Sequence, residues 1–162
     1  MSLAWPSTAF VDETRSDQRY YLAAVTVEDR RHDAVREAMR GLRITGSKLH
    51  WTKESDERRR EIVDVIADVG LLHMVVMRLV DPDETDERAR RKCLRRLLWE
   101  LDRRSIERVV LEARAPSQNE RDMQLVARLR RSRELRGQLI ADHRPGPTEP
   151  LLWLADSLAG AV

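Results

Sequence analysis

The chain has 162 residues, 41% of them hydrophobic and 36% charged, with 30 Lys and Arg against 28 Asp and Glu and a formal net charge of +2. That length suits one domain around one core, and the high charge calls for amphipathic helices with large solvated faces rather than a compact β-barrel. A single cysteine, Cys93, excludes a disulfide scaffold and a Cys-rich zinc site. No apolar run reaches membrane-spanning length and no signal peptide is visible, so a cytoplasmic protein is expected.

Met1-Ser2-Leu3 reads as a remnant of expression cloning within an N-terminal extension over 1–7, and 8–162 reads as the domain. Thr8–Asp12 is a predicted strand, because Thr, Phe and Val favour a pleated surface. Thr14–Gln18 is polar and reads as a turn. Arg19–Val27 is a second strand, close enough to pair with the first as an antiparallel hairpin. Helical spacing of Ala34, Val35, Ala38, Met39 and Leu42 predicts a helix over Asp29–Leu42, with Gly41 and Gly46 bracketing its end. After the mixed segment Lys48–Lys53, Ser55 offers an N-cap to a helix over Arg58–Val69 that Gly70 ends. Leu71–Val80 is the third strand, broken by Asp81-Pro82-Asp83.

Thr85–Arg104 is a long helix with its apolar stripe at Ala89, Cys93, Leu94, Leu97, Leu98 and Leu101, which places Cys93 in the core. Glu107–Ala113 is the fourth strand, and Pro116–Asn119 a loop. Glu120–Arg133 is a helix on Met123, Val126, Ala127 and Leu129. Leu135–Asp142 is a fifth strand, and Arg144–Pro150 a Pro/Gly loop. Leu151–Val162 is a closing apolar helix that suits a core element or, failing that, a dimer interface. A hairpin followed by alternating strands and helices predicts an α/β fold, a mixed five-stranded sheet covered by helices.

Three acids stand among apolar neighbours. Asp12 ends Ala9-Phe10-Val11-Asp12, Glu112 ends Val109-Val110-Leu111-Glu112, and Asp156 lies within Leu151–Gly160. A carboxylate so placed needs a cation, a donor or a proton. Each has a local explanation: Asp12 capping the next turn, Glu112 pairing with Arg114 or Arg15, Asp156 accepting a hydrogen bond at its helix edge. Together they suggest one site at a sheet edge, where ligands of open α/β sheets bind. Converging carboxylates suit Mg²⁺ or Mn²⁺, and two such ions can activate water and stabilise the leaving oxygen of a phosphodiester.

Among the four histidines, His50 is a candidate proton carrier or phosphate contact and His143 follows the fifth strand towards the last helix; His32, on a solvated helix, and His73 read as structural. None has zinc-ligand spacing, and there is no Gly-x-Ser-x-Gly elbow or phosphate-binding Gly-rich loop. Only Lys48, Lys53 and Lys92 are lysines, an arginine bias that reads as genome composition, with phosphate recognition as the alternative. Arg128, Arg130, Arg131, Arg133 and Arg136, and Arg88, Arg90, Arg91, Lys92, Arg95 and Arg96, read as solvated helix faces, with a nucleic-acid track as the alternative.

Four stretches resemble the DUF 3800 family, a domain-of-unknown-function group with a ribonuclease-H-like fold. They are Phe10-Val11-Asp12-Glu13-Thr14, Tyr21-Leu22-Ala23-Ala24-Val25, Lys48-Leu49-His50-Trp51, and the closing Glu149–Gly160 with its Ala155-Asp156. The resemblance implies a mixed sheet whose first three strands are antiparallel, helices on both sides, and acids on the first strand, the fourth strand and the last helix. By motif these are Asp12, Glu112 and Asp156, with Glu13 the next candidate. Together with the acid pattern it suggests a nuclease or nuclease-like protein that uses Mg²⁺ or Mn²⁺ on nucleic acid; Lys48, Lys53 and Arg15 are candidate nucleic-acid contacts. The alternative is an inactive domain of the same fold that binds nucleic acid or a protein. Thr14-Arg15-Ser16 stands where the family's opening motif usually continues with Gly.

Overall fold

The computed structural model describes residues 5–43, 46, 48–69 and 72–162. The expected features at Met1-Ser2-Leu3, Gly70 and Leu71 lie outside them. β1 (Ser7–Ser16) and β2 (Arg19–Glu28) form the expected hairpin. It is longer than the apolar pattern suggested. The ladder runs on through Glu13↔Leu22 to Ser16↔Arg19, and the turn shrinks to Asp17-Gln18, with Asp17 in the left-handed region at φ 50°. Asp is among the few residues that tolerate that conformation. Thr14–Gln18 is therefore mostly strand, and Asp12 sits inside β1 rather than at its end.

A short 3₁₀ turn, Asp29–Arg31, leads into α1 (His32–Leu42), and α2 (Asp56–Asp68) starts where Ser55 accepts a hydrogen bond from the Arg58 amide. His32 is less solvated than its helix suggested, because its ring meets Phe10 edge-on at 5.4 Å. β3 (Leu72–Leu79), α3 (Asp86–Arg103) and β4 (Arg108–Glu112) follow. α4 (Pro116–Arg131) begins four residues before the expected Glu120, absorbing the expected loop Pro116–Asn119. Proline is well suited to a first helical turn, and Gln118 Oε1 accepts from the Ala115 amide at 3.3 Å. β5 (Ile140–Arg144) starts later than expected; Leu135 and Leu139 are buried ahead of it as part of the approach. α5 (Pro150–Ala161) closes the described chain.

The sheet order is β3-β2-β1-β4-β5, with β1, β2 and β3 mutually antiparallel and β4 and β5 parallel to β1. Two cores flank it. Ala9, Val11, Val109 and Leu111 point to α3 and α4, while Phe10, Val25 and Val110 point to α1, α2 and α5. Leu151, Leu152, Trp153, Leu154 and Ala155 are all buried, so α5 is a core helix. No described helix is long and apolar enough to cross a membrane.

Strand alternation settles which side chains meet. Asp12 shares the α5 face with Phe10, and Glu112 shares it with Val110. Glu13 shares the α3–α4 face with Val11. The parallel register Val11↔Leu111 sets Asp12 beside Glu112.

Candidate functional site

On the α5 face, Asp12, Glu112 and Asp156 meet at the carboxyl ends of the paired β1 and β4 segments. Lys48 arrives from the segment before α2, buried to 9% side-chain exposure, with Nζ 2.6 Å from Glu112 Oε1. Asp156 Oδ2 accepts from the Trp51 amide at 3.1 Å, and Asp12 Oδ1 from the Glu13 amide at 2.8 Å. Two glycines make the close packing possible. A Cβ on Gly146 would fall 1.9 Å from Glu112 Oε1 and 3.1 Å from Lys48 Nζ, and one on Gly160 would fall 2.2 Å from Trp51 Cδ1.

Three carboxylates against one ammonium leave the site short of positive charge. Burial, and then the negative charges of Glu112 and Asp156, push the Asp12 carboxyl from its ordinary 3.8 up to about 8. Asp12 therefore holds a proton at neutral pH and can donate it to Glu112. Burial alone would lower the Lys48 ammonium, but the hydrogen bond to Glu112 and the charges of Asp12, Glu112 and Asp156 hold it above its ordinary value.

The donors fit a hard divalent cation in kind, since all are carboxylate oxygens. In arrangement they fall short. No three His, Cys, Asp or Glu side chains among the described residues stand together as a metal-holding group. Glu112 is turned to Lys48, Asp12 carries a proton, and Asp156 is left with the Trp51 amide as its partner.

The other residues singled out from sequence fall elsewhere. Glu13 is on the opposite face, hydrogen-bonded by Tyr20 and paired with Arg90. Arg15 is exposed and faces Asp86 at 3.4 Å, not Glu112. Arg114 pairs with Glu87 and reaches Asp122 at 3.3 Å, so neither arginine neutralises Glu112. Lys53 is exposed within the 3₁₀ turn Trp51–Lys53, and His50 is half-buried at its N-cap, its imidazole without a hydrogen-bond partner among the described residues.

A second charged cluster escaped the sequence reading. Arg90 and Asp122 are buried between α3 and α4 and bind side-on, with Arg90 Nε and Nη2 at 3.1 and 2.9 Å from the two Asp122 oxygens. His143 Nε2 lies 3.0 Å from Asp122 Oδ2, so His143 serves α4 and not the last helix. Burial would raise the Asp122 carboxyl, but hydrogen bonds from His143 and Arg90 hold it at about 2. Arg90 thus leaves the solvated face assigned to it. Its signal was available, since Arg90, Cys93, Leu94 and Leu97 share helical spacing, as do Asp122, Leu125, Val126 and Leu129. The expected stripe residue Met123 is 39% exposed.

Comparison with family models, with curated proteins and with solved structures gives no match.

Proposed function

We propose that this chain is a ribonuclease-H-like protein, similar to the DUF 3800 family, that hydrolyses nucleic-acid phosphodiesters with Mg²⁺ or Mn²⁺. The observation that carries this reading is the meeting of Asp12, Glu112 and Asp156, from two adjacent parallel strands and a helix, with too little positive charge to match them. The antiparallel β1–β3 and the helices on both faces agree with the fold that the resemblance implies.

Asp12, Glu112 and Asp156 would hold the ion. A bound divalent cation supplies Lewis acidity at phosphorus and an activated water. The chain's own residues do the rest. Asp12 would have to release its proton, and Glu112 turn from Lys48, for the three carboxylates to hold such an ion. Lys48 pairs with Glu112 and presents an ammonium that a phosphate oxygen can meet. The Trp51 amide fixes the rotamer of Asp156. Cleavage of labelled DNA and RNA oligonucleotides is expected in Mn²⁺, to stop in EDTA, and to fall at least about 100-fold in Asp12→Asn. Unchanged cleavage by folded Asp12→Asn would sink the proposal.

The Lys48–Glu112 ion pair favours a second reading, a non-catalytic domain of this fold in which lysine does the work of the cation. Metal-independent binding of nucleic acid or a protein, with no turnover, is its signature.

A further inference from the structure

α3 and α4 form an open cleft of about 350 Å³ whose wall includes the exposed Arg88, Arg91, Arg121 and Arg128 and the buried Arg90 but only two acids, Glu87 and Asp122. Both acids are already committed. Glu87 is paired with Arg114, and Asp122 with Arg90, Arg114 and His143. Elsewhere on these helices Arg95 pairs with Glu134 and Arg96 with Glu100, Arg103 stacks on Trp99, and Arg130 bonds the Leu139 carbonyl. By contrast, the side chains of Arg88, Arg91 and Arg128 have no ion-pair or hydrogen-bond partner among the described residues, and Arg121 reaches only Glu87, at 3.9 Å. A solvated helix face does not need a concave wall of unmatched guanidinium groups. A phosphate does, because guanidinium offers paired donors to its oxygens.

The cavity also has a place relative to the acids. Arg90 lines it and equally lines the adjoining cavity walled by Asp12, Glu13, Glu112 and Arg114. The two openings are thus neighbours across one buried side chain.

We infer that the arginine-lined cavity between α3 and α4 binds the phosphate backbone of a nucleic acid, holding the strand whose phosphodiester lies at Asp12 and Glu112. The inference rests on the nucleic-acid reading of the acidic site. It assigns Arg88, Arg91, Arg121 and Arg128 to backbone contact without base readout.

The test is fluorescence anisotropy of the full chain with labelled single-stranded and duplex oligonucleotides in EDTA, over a salt series. Arg88→Gln/Arg91→Gln/Arg128→Gln is compared with wild type and with the equally charged control Arg60→Gln/Arg133→Gln/Arg136→Gln, none of whose positions lines the cavity. The cavity variant is expected to bind at least about tenfold more weakly, and its log–log salt slope on duplex to fall by about 2–3, near 0.9 per lost contact. The control is expected to stay within about twofold of wild type. Equal losses in both variants, or none in either, would overturn the inference and leave the nuclease reading to its own assay. So would a wild-type chain that binds no oligonucleotide, or that binds poly-glutamate as tightly. Cavity-dependent binding without Mn²⁺-dependent cleavage would uphold the inference and remove the nuclease reading.

Discussion

Asp12 and Glu13 are adjacent in sequence and face opposite sides of the sheet, and their charges are handled in opposite ways. On the α3–α4 face, Glu13 and Asp122 are matched by Arg90, Arg114 and His143, and burial is offset by charge-assisted hydrogen bonds. On the α5 face, Asp12, Glu112 and Asp156 share Lys48, and the shortfall is met by a proton. The first cluster is complete as it stands and holds two helices to the sheet. The second keeps a proton on Asp12 and has fewer cations than carboxylates. A closed network explains architecture, whereas an unbalanced one explains a site.

The sharpest break between the two is Arg90→Ala. It strands Asp122 in the interior, and loss of one partner of a buried pair costs about 3–5 kcal/mol. Urea unfolding at pH 8 is expected to register that loss, while Asp12→Asn at the same pH is expected to be neutral or stabilising. Equal destabilisation by the two would erase the distinction.

Gly160→Ala comes next. The added methyl meets the rigid Trp51 ring, and a loss of about 1–3 kcal/mol is expected, against the gain in helix propensity. Gly146→Ala meets the ends of two long side chains, Glu112 and Lys48, which can shift more easily than a ring, so its stability cost is smaller. It separates Glu112 from Lys48, and weakened divalent-ion binding with a near-normal melting temperature is the expected pattern.

The pH dependence of Asp12→Asn refines the contrast. A carboxyl raised from 3.8 to about 8 on folding binds its proton more tightly in the native state. Its contribution to stability is fully present below pH 3.8 and is lost as pH rises to about 8. Asp12→Asn has no such loss. It is expected to lie closest to wild type near pH 4 and to exceed it by a growing margin as pH rises to 8. Melting curves across that range check this, and a gap that closes as pH rises would contradict it. The smallest effect is expected from Tyr20→Phe, which removes one hydrogen bond to Glu13 at a cost of about 0.5–1.5 kcal/mol.

Much of this was legible before any coordinates. The period-two pattern of Ala9-Phe10-Val11 and Val109-Val110-Leu111 already places Asp12 and Glu112 on one face once the strands are parallel. What stayed hidden depended on partners remote in sequence. Lys48 meets Glu112 across 64 positions and Arg90 meets Asp122 across 32, distances at which local patterning carries no information. Arg90 reads as solvated because its charge outweighs its helical spacing with Cys93, Leu94 and Leu97. The extension of β1 past Asp12 was hidden because β-ladder hydrogen bonds need no apolar side chain. Pro116 read as a loop although a first helical turn accepts it.

Calorimetric titration of Mn²⁺ at pH 7, in two buffers of different ionisation enthalpy, tests the central claim most directly. The account predicts saturable binding by the wild-type chain with release of about one proton per site, and loss of both binding and proton release in Asp12→Asn. Absence of binding to the wild-type chain, or equal binding by Asp12→Asn, would contradict it and leave Lys48 as the site's own permanent cation.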